Sequence, residues 1–117
     1  MQIIVKLLEY IYEEMKINNN NLKDGKKQAK TNIERIQDEY NEVYNNKLYI
    51  KILQITSSVF RKKNIFNESR KLFTEKGGTS VLLNIPSVAY DEIASTAIIT
   101  IGDLIKNSLY IKEYIGN

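Results

Sequence analysis

The sequence predicts an all-α fold, a small bundle of four or five helices in a single helical domain over residues 1–117. Three observations predict it. Apolar residues recur at helical spacing through the N-terminal half, and clusters of asparagine and glycine, which favour turns, separate these stretches. The third is Ser87–Ile115, a long segment without proline whose centre, Ala94–Ile101, carries no charge. A helix charged at both ends and apolar all round its middle is expected to be surrounded by the others, so this stretch reads as a long, buried C-terminal helix. The alternative is a small α+β fold in which the chain breaks at Gly102 and Thr96–Ile101 forms a strand.

In order along the chain, Gln2–Ile17 places Ile4, Leu7, Leu8, Ile11 and Met15 at helical spacing, with Lys6, Glu9, Glu13 and Lys16 between them. Asn18–Lys27, an asparagine run ending in Asp24-Gly25, reads as a loop. It does not make a calcium loop, because Leu22 and Thr31 fall where oxygen ligands and the bidentate glutamate belong. From Gln28 a second helix is predicted, with Ile33, Ile36, Tyr40 and Val43 on its seam and the pairs Lys30/Glu34 and Arg35/Glu39 at i,i+4. Beyond Asn45-Asn46, Leu48, Ile52, Ile55 and Val59 form another seam rotated by roughly 90° from the first. Either the chain turns at the asparagine pair or one long helix changes partner there, and the β-branched content of Leu48–Phe60 also permits a strand. Asn67 is a good N-cap for a short helix that stops at Gly77-Gly78. Thr79–Ile85, before Pro86, reads as a connector or short strand. Ser87 is then expected to cap the last helix, with Asp91 and Glu92 early and Lys106 and Lys112 late.

Composition bounds the function. With 117 residues, 43% of them hydrophobic, the chain can bury a core without disulfides or metal. Cysteine, histidine and tryptophan are absent. Thiolate catalysis and cysteine zinc sites are thereby excluded, and the usual general base and commonest metal ligand are missing. The expectation is a protein that is not an enzyme and has no metal or cofactor. Lys6 and Glu9 interrupt the apolar N-terminus and no small-residue cleavage site comes after it, so no signal peptide is expected. The longest charge-free run, Gly77–Tyr90, contains Pro86 and is shorter than the ~20 residues of a spanning helix. The expectation is a soluble chain, cytoplasmic or assembled into a larger complex.

Charge is unevenly distributed. Residues 31–46 set Arg35 against Glu34, Asp38, Glu39 and Glu42, a net of −3, whereas residues 47–76 carry eight basic residues against Glu68 and Glu75, a net of +6. Lys47, Lys51, Arg61, Lys62, Lys63, Arg70 and Lys71 are candidate phosphate contacts, with Tyr49 and Phe66 near enough to stack on bases. The alternative is a solvated face opposite Leu48, Ile52, Ile55 and Val59. Tyr40 with Tyr44, and Tyr110 with Tyr114, are i,i+4 pairs that serve either as core edges or as interface anchors. Gly77-Gly78-Thr79-Ser80 lacks the spacing and lysine of a P-loop.

The function expected from these exclusions is a protein-interaction module: an immunity or inhibitor protein, a secretion partner, or a small subunit of a larger assembly. A protein partner or a homo-oligomer is implied. In size, pI near 9.0 and helical content the chain is similar to the small bacteriocin immunity proteins, a likeness of general character carried by no motif. The alternative is a nucleic-acid-binding protein using segment 47–76.

Overall fold

Helices form where apolar periodicity supplies a face to bury, and their ends are set by local chemistry. A computed structural model of the protein describes residues 2–23, 31–62, 67–106 and 108–116. Among these the chain forms six helices and no strand: α1 (Gln2–Lys23), α2 (Asn32–Arg61), α3 (Asn67–Glu75), α4 (Gly78–Val88), α5 (Asp91–Ile105) and α6 (Leu109–Gly116). The fold is an all-α helical bundle. Thr96–Ile101 lies inside α5, which overturns the strand alternative.

α1 buries Val5, Leu8, Ile11 and Met15, which recur every three or four residues and share one face. Leu7 stands off that face and is exposed. The asparagine run expected as a loop from Asn18 continues α1 to Lys23, because asparagine costs only a few tenths of a kcal/mol more than a good helix former. Asp24–Lys27 lie outside the described residues.

Thr31 opens α2 with a reciprocal cap. Its Oγ1 accepts from the Glu34 N–H at 3.2 Å, and Glu34 Oε2 accepts from the Thr31 N–H at 3.3 Å. No glycine or proline intervenes before Lys62, so the two predicted stretches fuse into one helix of 30 residues, about 45 Å long. Its second half buries Tyr49, Ile52, Leu53, Thr56, Ser57 and Phe60. The expected seam of Leu48, Ile52, Ile55 and Val59 is therefore displaced, with Leu48 and Ile55 exposed. Two satisfied hydroxyls explain the shift. Thr56 Oγ1 donates to the Ile52 carbonyl at 2.8 Å, and Ser57 Oγ donates at 2.8 Å to Thr100 Oγ1, which lies 3.2 Å from the Leu53 carbonyl and 2.9 Å from that of Thr96. Hydroxyls with partners are buried at little cost, so they take core positions that apolarity alone assigns elsewhere.

α3 and α4 meet at two glycines with different duties. Gly77, at φ 91°, donates to the Thr74 carbonyl at 3.0 Å and accepts from the Val81 N–H at 3.1 Å, closing one helix and opening the next. Gly78 lies under the Phe73 ring, where a Cβ would collide with ring atoms. Thr79–Ile85, expected as a connector or strand, is helical and buries Thr79, Leu82 and Ile85. Pro86 sits in the last turn of α4, where it removes only the N–H that would reach the Leu82 carbonyl.

The long helix expected over Ser87–Ile115 is divided. Ser87 belongs to α4 and donates to the Asn84 carbonyl at 2.6 Å instead of capping α5. Ala89 and Tyr90 are extended between α4 and α5. A second break precedes α6, whose first turn is capped by Ser108 Oγ accepting from the Ile111 N–H at 3.3 Å. Gly102 is neither the break nor a close contact, since it lies within α5 with nothing within 4 Å of an added Cβ. Nor is α5 surrounded. It buries Ile93, Ala97, Thr100 and Leu104, while Ile98 and Ile99 are 58% and 57% exposed.

α5 packs along the second half of α2, pointing the same way, and α1 packs on α4, with an α4–α5 contact joining the two pairs. α3 and α6 touch each other, α3 against α4 and α6 against α5. Arg70, buried on α3, ties this end together. Its Nε donates to the Leu104 carbonyl and Nη2 to the Phe60 carbonyl, both at 3.0 Å. Those oxygens belong to the last turns of α5 and α2, where carbonyls lack helical partners and the dipoles present negative ends. The guanidinium also lies 5.9 Å from the Phe60 ring centre, and Phe60 meets Phe73 edge-on at 5.1 Å. Desolvation lowers the Arg70 pKa from its ordinary value.

Candidate functional site

α2 outruns the bundle. From Thr31 to Asn45 every residue is exposed, and the core draws nothing from α2 before Tyr49. The molecule measures 52 × 26 × 22 Å with a radius of gyration of 16.2 Å, against about 13 Å for a compact chain of this length. Residues 31–45 thus form an arm extending the helix whose second half is packed.

The arm is not a uniformly polar helix. Ile33 (71% exposed), Ile36, Tyr40 (70%), Val43 and Tyr44 have the spacing i, i+3, i+7, i+10, i+11 and form one apolar row. Ile33, Ile36, Tyr40 and Val43 are the seam the sequence predicts for the second helix. α5 packs on the second half of α2. Tyr40 and Tyr44 are therefore surface rings. Tyr110 is half-buried at the edge of the core, whereas Tyr114 is exposed.

The basic candidates separate. Lys47, Lys51, Lys62 and Lys71 are exposed. Arg61 forms an ion pair with Asp103, Nε to Oδ2 at 2.9 Å. Arg70 is buried in its contacts with the Phe60 and Leu104 carbonyls and is not presented to a partner. Lys63 lies outside the described residues, as does Phe66, and Tyr49 is a core residue. Tyr49 meets Tyr10 edge-on at 6.3 Å, and burial, together with the proximity of Tyr10 and Glu14, pushes its phenol up to about 12.

Beneath the arm, a groove of about 930 Å³ is bounded by Asp38 and Glu42 of α2, Asp91 and Glu92 at the start of α5, and Met15 of α1. Among the described residues no group of three or more acidic side chains is placed to hold a metal ion. No described helix is long and apolar enough to cross a membrane. Sequence reading missed the Thr31/Glu34 cap, although the T-x-x-E pattern signals it, and it missed Arg70 as a structural residue, for which no local pattern exists.

Fold and surface together define a small helical bundle with a projecting, apolar-striped helix. The chain matches no protein-family model, no curated protein and no solved structure.

Proposed function

We propose that the chain is a non-enzymatic protein-interaction module that engages its partner through the arm of α2. The reading is supported by the row Ile33, Ile36, Tyr40, Val43 and Tyr44 on a segment none of whose residues is buried. The core makes no use of these side chains. A helical segment of this length is marginal in water without a packed face, so a partner covering the row also stabilises the arm. Tyrosine suits the task because it offers a large apolar area with a polar tip. An immunity or inhibitor protein, a secretion partner and a small subunit would all use such a surface.

Nucleic-acid binding is the second reading. It is favoured by Lys47, Lys51 and Lys62, exposed on α2 and at its end and within about 60° of one another. The burial of Arg70 and the Arg61–Asp103 pair weaken it. A photo-crosslinking residue at position 40, with one at Lys112 on α6 as control, separates the two in native extract. A protein adduct at 40, absent at 112 and lost in Ile36→Glu, is expected. A nucleic-acid adduct at position 51, with affinity falling steeply as salt rises and no protein adduct at 40, would replace this reading with the second.

A further inference from the structure

We infer that the partner of the arm is a second copy of the chain, paired antiparallel along α2 about a two-fold axis near Tyr44. This rests on the reading of the arm as an interaction element. The outward face of α2 does not stop where the arm meets the bundle. At 100° per residue, Ile33, Tyr40, Tyr44, Lys51 and Ile55 lie within about 60° of one another, with Leu48 at their edge, and all six are exposed. The face that carries the bundle, Tyr49, Leu53, Thr56 and Phe60, is centred roughly opposite. Two copies joined through their outward faces therefore keep their bundles on the outside, clear of each other.

The composition of this face specifies its cover. Lys47 and Lys51 interrupt its second half, and an ammonium group is costly to bury without a counter-charge. The cover must be both apolar and acidic. The arm itself is both, with Ile33, Ile36 and Tyr40 in the row and Glu39 beside it, about 60° beyond Ile36. Antiparallel pairing centred on Tyr44 sets Ile33 opposite Ile55 of the second copy, Tyr40 opposite its Leu48, and Tyr44 opposite Tyr44. The same pairing brings Glu39 of the arm beside Lys47 of the other copy, and symmetry makes the contact twice. A parallel pair would lay acidic arm on acidic arm. A specific dimer buries about 800 Å² per partner. Six apolar side chains, at on the order of 100 Å² each, and the two lysine stems supply about that area.

The test uses the full chain, which contains no cysteine. Light scattering on the purified protein across a range of concentration is expected to show a dimer, twice 13.6 kDa, dissociating on dilution. Tyr44→Cys should form a disulfide-linked dimer on mild oxidation. Ile33→Cys should not, whereas Ile33→Cys combined with Ile55→Cys should. Lys47→Glu, and separately Glu39→Lys, should each weaken association roughly tenfold, and mixing the two variants should restore it. Circular dichroism of each variant checks that the fold is kept, since every position changed is exposed. Self-linking at position 33 would overturn the antiparallel arrangement. A monomer at every concentration, together with a crosslink from position 40 to a different protein, would overturn self-pairing and leave the arm as an interaction element. A monomer with no protein adduct would overturn both.

Discussion

The two halves of α2 have similar apolar periodicity and opposite fates. From Tyr49 to Phe60 the helix is clamped between α5 and α1, with its hydroxyls satisfied and its end held by Arg70. From Thr31 to Asn45, Ile33, Ile36 and Tyr40 are as regularly spaced as any core residues and face water. An amphipathic stripe thus states that something will cover it, without stating whether the cover belongs to the same chain.

The contrast can be broken most sharply where the packed half is anchored. Arg70→Ala leaves the Phe60 and Leu104 carbonyls buried without their donor, at about 1–3 kcal/mol each, and denaturant unfolding should register a loss of about 3 kcal/mol or more. Leu53, fully buried, should lose about 2–5 kcal/mol as Leu53→Ala. Ile36→Ala on the arm should stay within about 0.5 kcal/mol when unfolding is monitored at concentrations too low for association. A comparable loss at both positions would mean that the arm is packed and the contrast false.

The smallest effect is confined to alkaline pH. The Tyr49 phenol is raised to about 12 in the fold and ionises near 10 when unfolded, so its contribution is fully present below about pH 10 and is lost as pH rises through about 12. Tyr49→Phe should therefore flatten the fall of Tm above pH 10, and an unchanged alkaline profile would refute this assignment.

The helical class and most of the segments were legible because periodicity and turn residues act locally. Burial was less so. Ala94–Ile101 has no charge, yet Ile98 and Ile99 reach solvent while Thr100 is buried, because a threonine bonded to Ser57 meets the α2 interface better than an unpaired hydroxyl could. Ile85 is helical despite preceding Pro86, because burying Leu82 and Ile85 outweighs a local preference worth less. In the candidate site the tyrosine pair at 40 and 44 was visible as a choice between core and surface, and only tertiary packing decides that choice. Arg70 read as one more surface cation, since nothing near it in sequence reveals the two helix ends it meets from a distance.

α2 runs without glycine, proline or any other interruption from Asn32 to Arg61, and this imposes a phase on the surface it carries. Substitutions along the arm leave the core untouched, but the number of residues between the arm and Tyr49 is another matter. One inserted residue near Asn46 would turn the row Ile33–Tyr44 by about 100° relative to the bundle while leaving both halves chemically intact, whereas four would return it to within about 40°. The arm is tolerant of changes in spelling and intolerant of changes in length.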